Sequence, residues 1–102
     1  MVKVNFNTNL KDCFGKDIVS IETGEVQTIK DMVCVKLFSA GEGLTEEEKT
    51  KAYLLMLRIA NTQEEIAIED RESVLIKKIC EKQLTVGAWG QLVSLLNGDK
   101  EE

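Results

Sequence analysis

The sequence contains no histidine and no proline among its 102 residues. The absence of histidine excludes Ser-His and Cys-His catalytic pairs, a histidine general base and histidine metal ligands. The absence of proline excludes cis-proline turns and polyproline segments. We therefore expect a protein that is not an enzyme, and the sequence predicts neither a metal ion nor any other cofactor.

Cysteine is scarce, and its spacing argues against the usual cysteine-based sites. The three cysteines are odd in number, widely spaced and without a CxxC pair, which excludes a disulfide scaffold and makes a zinc site improbable. Cys13, Cys34 and Cys80 are all predicted to be small core residues. Cys13 lies in a turn near two lysines and is the best candidate for an exposed thiol. An enzyme that uses Cys13 or carboxylates is the least favoured interpretation.

Long apolar runs are also absent. The longest, such as Tyr53 to Leu57, is far shorter than the roughly 20 residues that cross a bilayer. The first residues alternate between apolar and polar types, unlike a signal peptide. With 43% hydrophobic and 30% charged residues, the composition predicts one globular domain over residues 1–98, followed by a frayed acidic tail at 99–102. We expect a cytoplasmic protein without membrane association.

The net charge of −5 is concentrated in one segment. Residues 42–72 hold nine acidic and four basic residues, and the rest of the chain is balanced. This acidity argues against direct nucleic-acid binding. The segment includes a candidate acidic patch, formed by Glu46, Glu47, Glu64, Glu65 and Glu69. Three interpretations remain open: solvated helix starts, a partner-facing patch that mimics a nucleic-acid backbone, and a site for a divalent cation, although no EF-hand loop is present.

The N-terminal part of the chain has the pattern of β-structure. Val2, Val4 and Phe6 alternate with polar residues, which predicts a half-buried strand. A turn with Gly15 available for positive φ precedes a second apolar segment at residues 18–21. These patterns predict a β-hairpin or a small meander. Ile66–Ile68 is either one more short strand or an extended connector.

The remainder of the chain has four helix signatures. Thr28, Thr45, Asp70 and Thr85 are predicted N-caps, and Glu48 completes a capping box with Thr45. The helix that starts at Thr45 is predicted to be the most buried, because residues 52–57 are apolar on nearly every side. We predict an α+β fold, with an N-terminal β-hairpin packed on three to four α-helices; the alternative is a mainly α-helical bundle. The predicted core consists of Val4, Phe6, Ile18, Met32, Leu37, Leu54, Leu57, Ile76, Ile79, Trp89, Leu92 and Leu96.

The last predicted helix is apolar and contains two glycines. Residues 85–96 include no lysine or arginine, so a DNA-reading helix-turn-helix is disfavoured. Gly87 and Gly90 flank Trp89, and each glycine costs roughly 1 kcal/mol relative to alanine inside a helix. Three interpretations are open: close packing within the chain, an interface with another subunit or protein, and stacking of a flat ligand on the tryptophan.

Several segments occur in an order that resembles small proteins of phages and prophages. The segments are Leu10-Lys11-Asp12, Gly15-Lys16-Asp17-Ile18, Thr28-Ile29-Lys30-Asp31, EKTKAYLLMLRI at residues 48–59, SVLIKKI at 73–79 and Gly90-Gln91-Leu92. Most members of that group have no assigned activity, so the resemblance implies no functional residues. It implies a viral accessory or virion-assembly protein, which would act in the host cytoplasm.

These observations favour a non-enzymatic protein-binding or assembly module. Its partner is expected to be a protein, and self-association into a homo-oligomer is one form of that hypothesis. The alternative is an acidic inhibitor of a host nucleic-acid enzyme. The negative charge of residues 42–72 is the observation that supports this alternative.

Overall fold

A short antiparallel ladder and four helices make up the regular structure of residues 2–98, the part of the chain that the computed structural model describes. The predicted α+β class is confirmed, and the predicted tail at 99–102 lies outside the described residues. In chain order the elements are β1 (Val2–Val4), α1 (Ile29–Ser39), α2 (Glu46–Ala60), β2 (Ile66–Ile68), α3 (Asp70–Cys80) and α4 (Val86–Leu96).

Threonine side chains cap three of the helices, as the sequence predicts. The Thr28 hydroxyl accepts a hydrogen bond from the Asp31 N–H at 3.1 Å and so starts α1. In α2, the Thr45 hydroxyl accepts from the Glu48 N–H at 3.1 Å, and the Glu48 carboxylate accepts from the Thr45 N–H at 3.1 Å. This reciprocal pair is the predicted capping box. Thr85 caps α4 in the same way.

The start of α3 differs from the prediction by one residue. Glu69 is the N-cap, and Asp70 is the first helical residue. The Glu69 N–H donates to the Glu72 carboxylate at 2.9 Å. An acidic residue in the first turn suits the positive end of the helix dipole, so Asp70 stabilises α3 from inside the helix rather than as its cap.

The ladder joins segments that are far apart in the sequence. β1 pairs antiparallel with β2, with Val2 opposite Ile68 and Val4 opposite Ile66. Ile66–Ile68, which the sequence left open, is therefore a strand. Val4 and Ile68 are both 1% exposed, so the ladder presents one face to the core.

Residues 9–28 form an irregular meander of three short extended segments. Isolated antiparallel bridges link Asn9 with Thr28, Lys11 with Asp17 and Val19 with Val26. Gly15 lies in the first turn at φ +80°, the left-handed conformation that the sequence predicted for it. We call residues 9–28 the N-terminal meander.

One side chain of α4 holds the N-terminal meander against the helices. The Gln91 side-chain oxygen accepts a hydrogen bond from the Lys11 N–H at 2.8 Å, and its amide nitrogen donates to the Lys11 carbonyl at 2.7 Å. Gln91 thus pairs with both backbone polar groups of one residue, as a residue of a neighbouring antiparallel strand would. Backbone hydrogen bonds join the segments of the N-terminal meander to one another, and the Gln91 contact fixes the meander on α4.

We expect Gln91→Ala to loosen the N-terminal meander. The loss of two hydrogen bonds in a partly exposed setting corresponds to about 1 kcal/mol. Trypsin cleaves after Lys11 and Lys16, and mass spectrometry can follow both cleavages. We expect the cleavage rate to rise roughly fivefold in the variant, because under these conditions the rate is proportional to the population of the open state. Ser94→Ala, at an exposed site on α4, is the control. Equal cleavage rates for the two variants would contradict the role of Gln91.

Seven of the predicted core residues are buried. They are Val4, Phe6, Leu37, Ile76, Ile79, Leu92 and Leu96. Three others, Ile18, Met32 and Trp89, are partly buried and pack against that core. Helix α1 packs against both α2 and α3, and α4 packs against α3 and β1, so the core lies between the ladder and the helices.

The predicted burial of α2 is wrong for part of the helix. Ala52, Leu55, Met56 and Ile59 form its buried face. Leu54, which was predicted to be in the core, is 58% exposed, and Leu57 is 37% exposed. A single helix at the edge of a small domain can turn only one face inward, so the apolar residues on its other faces meet solvent.

Candidate functional site

Helices α2 and α3 run antiparallel, and an ion pair joins them at each end. At one end the Lys78 ammonium lies 2.7 Å from the Glu48 carboxylate. At the other end the Arg58 guanidinium lies 2.9 Å from the Glu72 carboxylate. Each pair links the first turn of one helix to the last turn of the other. Ten residues separate Glu48 from Arg58, which is about 15 Å of helix at 1.5 Å per residue.

A groove runs between these two ion pairs. Leu55 and Leu75 are 2% and 9% exposed and form its floor, and Leu54 and Val74 are 58% and 64% exposed and form its walls. The groove has a volume of about 430 Å³. We call it the α2–α3 groove. An open concavity with an apolar floor and walls and a charged rim is a candidate binding site.

The solvent-facing side of α2 extends this apolar surface. Tyr53, Leu54 and Leu57 are all exposed and lie on one helical face, since residues three and four apart are neighbours. We call these three residues the outer face of α2. Leu54 belongs both to this face and to the wall of the groove. The two surfaces are therefore continuous.

Arg58 organises the end of the α2–α3 groove next to β2. Its two terminal nitrogens donate to the two Glu72 carboxylate oxygens at 2.9 and 3.2 Å. One of them also donates to the Ala67 carbonyl at 2.8 Å. The guanidinium therefore connects α2 to the strand β2 and to the first turn of α3. A fork of this geometry is specific to arginine, because lysine has no planar pair of donors.

Two carboxylates of the groove, Glu48 and Glu72, are held in the ionised form at neutral pH because their pKa values are lowered. The hydrogen bond from the Lys78 ammonium, together with one from the Thr45 N–H, lowers the pKa of Glu48. For Glu72, partial burial acts to raise the pKa, but the hydrogen bonds from Arg58 and from the Glu69 N–H outweigh burial and lower it. A carboxylate with a lowered pKa is a poor general acid at neutral pH. The two ion pairs are suited to holding α2 and α3 in place and to keeping both carboxylates charged.

The structure does not bring the five residues of the predicted acidic patch together. Glu46 and Glu47 lie in the first turn of α2, and Glu64 and Glu65 follow its C-terminal end. A helix of 15 residues separates the two pairs by about 22 Å. Glu47 also forms an ion pair with Lys51. These charges are distributed over the surface as solvated helix ends, with no shared face.

Glu69, the fifth member of the predicted patch, lies at the rim of the α2–α3 groove. Its carboxylate accepts a hydrogen bond from the Arg71 guanidinium at 3.0 Å. The residue is therefore a paired charge next to an apolar surface. Within the part of the chain that the structure describes, the other four residues of the predicted patch do not line this groove.

Gly87 and Gly90 face open space. A Cβ atom built on either glycine would meet no other group within 4 Å. Close packing of another segment of residues 2–98 therefore does not explain them. Trp89 is partly buried and packs against the core. Gly87 lines a cleft of about 810 Å³ between α4 and the N-terminal meander. An interface at Gly87, Trp89 and Gly90 stays a prediction.

We expect Gly90→Ala to stabilise the protein by roughly 0.5–1 kcal/mol, because alanine restricts the unfolded chain and favours the helix. Thermal unfolding followed by circular dichroism would measure this gain. Gly15→Ala is the opposing control: Gly15 also has open space around it but adopts φ +80°, so its replacement is expected to destabilise the protein. A loss of stability in Gly90→Ala would mean that the glycine serves close packing after all.

The three thiols differ in accessibility, and one of them departs from the prediction. Cys80 is buried and Cys34 is partly buried, but Cys13 is exposed, so its predicted core position is wrong. Burial raises the pKa of Cys80 to about 11. Burial also raises the pKa of Cys34. Neither of these two thiols has appreciable thiolate character at neutral pH.

The residues that build the groove were not recognised as a site from the sequence. The sequence predicts Leu54 to be in the core and predicts no role for Val74 or Arg58. One signal was available: the segment 52–57 has more apolar residues than one helical face can bury. The sequence could not indicate which of them would remain outside.

Within residues 2–98, no cluster of three or more potential ligands has a geometry that could hold a metal ion. None of the helices in this part of the chain combines the length and apolar character that a membrane crossing requires. Comparisons of the chain with protein-family models, with curated proteins and with solved structures found no match.

Proposed function

We propose that the protein is a non-enzymatic protein-binding or assembly module, and that it binds through the α2–α3 groove and the outer face of α2. The observation that carries this proposal is the exposure of Leu54 and Val74 beside the buried Leu55 and Leu75. Exposed leucine and valine side chains along a concave surface gain free energy when a partner covers them.

The packing and pairing around the groove support a role in recognition. Its ends are held by the Glu48–Lys78 and Arg58–Glu72 pairs, and its floor belongs to the hydrophobic core. A surface that is already ordered before binding loses little conformational entropy on association. The groove is therefore suited to a partner that supplies an apolar ridge.

The resemblance to small phage and prophage proteins gives this proposal a biological setting. Under that resemblance, the module would contribute to a viral or prophage assembly in the host cytoplasm. The proposal itself depends on the groove and not on the resemblance. A protein from any source with this surface would have the same physical reason to bind a partner.

The proposal can be tested with immobilised protein and a lysate of the source cells. The double variant Leu54→Lys/Val74→Lys places two charges on the walls of the groove and is expected to lose the specific captured proteins that the natural chain retains. Val35→Lys is the matched control, since Val35 is a 59% exposed apolar residue on α1. Capture of the same proteins by the natural chain and both variants would overturn the proposal.

A further inference from the structure

The rim of the α2–α3 groove is more basic than the protein as a whole. Four cations and three carboxylates line it: Lys51, Arg58, Arg71 and Lys78 against Glu48, Glu69 and Glu72. The whole chain, by contrast, has a net charge of −5. The partner of Lys51, Glu47, lies outside this lining.

In the three ion pairs whose two members both line the groove, the cation is the more exposed member, whereas in the Lys51–Glu47 pair the carboxylate is, at 76% against 54%. The side-chain exposures are 52% for Lys78 against 27% for Glu48 and 47% for Arg58 against 23% for Glu72. They are 77% for Arg71 against 45% for Glu69. In these three pairs the lysine and arginine side chains therefore present a larger fraction of their surface to an approaching partner than the carboxylates do.

The shape of the groove favours a helix as its occupant. Its walls are themselves two antiparallel helices, and its length of about 15 Å corresponds to roughly ten residues of a third helix. An amphipathic helix places apolar side chains at i, i+3, i+4 and i+7 into such a groove. Its flanking residues then lie over the rim.

From these features we infer that the α2–α3 groove binds an amphipathic helix of another protein whose apolar stripe is flanked by acidic residues. This inference rests on the proposed function and specifies its partner. The apolar stripe covers Leu54 and Val74, and the flanking carboxylates approach Arg71, Lys78 and Lys51. Electrostatic complementarity of this kind selects between partners of equal apolar character.

Three designed peptides test the inference. They share one helical leucine stripe and carry fluorescein, and they differ only in whether the flanking positions hold glutamate, glutamine or lysine. Fluorescence anisotropy at an ionic strength of about 0.15 M, where the Debye length is about 8 Å, reports the dissociation constants. Because the whole protein has a net charge of −5, its overall electrostatic attraction favours the lysine peptide. Only the local basic rim favours the glutamate peptide. A preference for the glutamate peptide therefore reports the rim.

We expect the glutamate peptide to bind about tenfold more tightly than the lysine peptide, which corresponds to two or three exposed ion pairs. The preference is expected to disappear at about 1 M salt. Arg71→Glu is expected to remove most of it without harm to α3, because a carboxylate suits the first turn of a helix. Lys16→Glu, which adds the same charge in the N-terminal meander, is the matched control.

Three results would overturn the inference. The first is equal or weaker binding of the glutamate peptide relative to the glutamine peptide. The second is an equal effect of Arg71→Glu and Lys16→Glu. The third is a dimer of the natural chain in light scattering that Val74→Lys dissociates, since a second copy would then occupy the groove. Failure of the charge preference with retained binding of the glutamine peptide would leave the proposed protein-binding function intact.

Discussion

Leu55→Ala is expected to lower the free energy of unfolding by about 3 kcal/mol, whereas Leu54→Ala is expected to change it by less than about 0.5 kcal/mol. The two leucines are adjacent in α2, and both substitutions have the same effect on helix propensity. Leu55 is 2% exposed and Leu54 is 58% exposed, so only the first substitution leaves a cavity. Urea unfolding followed by circular dichroism would measure both values.

The size of this difference makes the comparison decisive. For a domain of about 100 residues, 1 kcal/mol shifts the melting temperature by about 4–8 °C. The total stability of such a domain is roughly 5–15 kcal/mol, so Leu55→Ala removes a large part of it. A greater loss from Leu54→Ala than from Leu55→Ala would mean that α2 is rotated, with Leu54 in the core as the sequence suggested. The α2–α3 groove would then not exist as described.

The second large effect is expected for Arg58→Ala, which should lower the free energy of unfolding by about 2 kcal/mol. The substitution removes the three hydrogen bonds that Arg58 donates to Glu72 and to the Ala67 carbonyl. Charge-assisted bonds are worth up to about 3 kcal/mol each when buried, but the Arg58 side chain is 47% exposed and solvent screening reduces the sum. Arg58→Lys keeps the charge without the fork and is expected to recover about half of the loss.

The pH dependence of this effect has a definite sign. The pKa of Glu72 in the folded protein is below its ordinary value of 4.5. Its ion pair therefore adds stability above that value, and this stability is lost as the pH falls through the lower pKa of the folded state. The difference between the natural chain and Arg58→Ala should thus be largest near neutral pH and shrink in acid, as the pH falls from 4.5 through the lower pKa of Glu72 in the folded state.

Two controls make the role of Arg58 falsifiable. Lys51→Ala removes an exposed cation of α2 that is paired only along its own helix with Glu47, and no measurable change in stability is expected. Glu72→Gln should flatten the acid-side dependence. A stability difference between Arg58→Ala and the natural chain that stays constant from neutral pH into strong acid would contradict the proposed role of the Glu72 ion pair.

The helix starts were predictable because they depend on contacts within a few residues. The Thr28 and Thr45 hydroxyls bond to N–H groups three positions later, and those bonds are available to the chain before any tertiary structure exists. The same holds for Gly15, whose conformation is a property of the turn. Local chemistry of this kind, together with apolar periodicity, was sufficient to predict the α+β class.

The pairings between distant segments were not predictable in this way. The partner of Val4 is Ile66, and the partner of Lys11 is Gln91. Nothing in the neighbourhood of either residue distinguishes that partner from other apolar strands or other glutamines. Such pairings are selected by the free energy of the whole packed chain, since loop closure must be offset by many contacts at once.

Local sequence signals are sufficient to predict the starts of α1, α2 and α4, the α+β class and the surplus of apolar residues in α2. Which of those residues stay exposed depends on tertiary packing, because the segment 52–57 is apolar on nearly every side and has no preferred inward face until its neighbours are in place. Helices α1 and α3 pack against α2, its buried face carries Leu55, and Leu54 remains exposed beside Val74. The α2–α3 groove results from this orientation of α2.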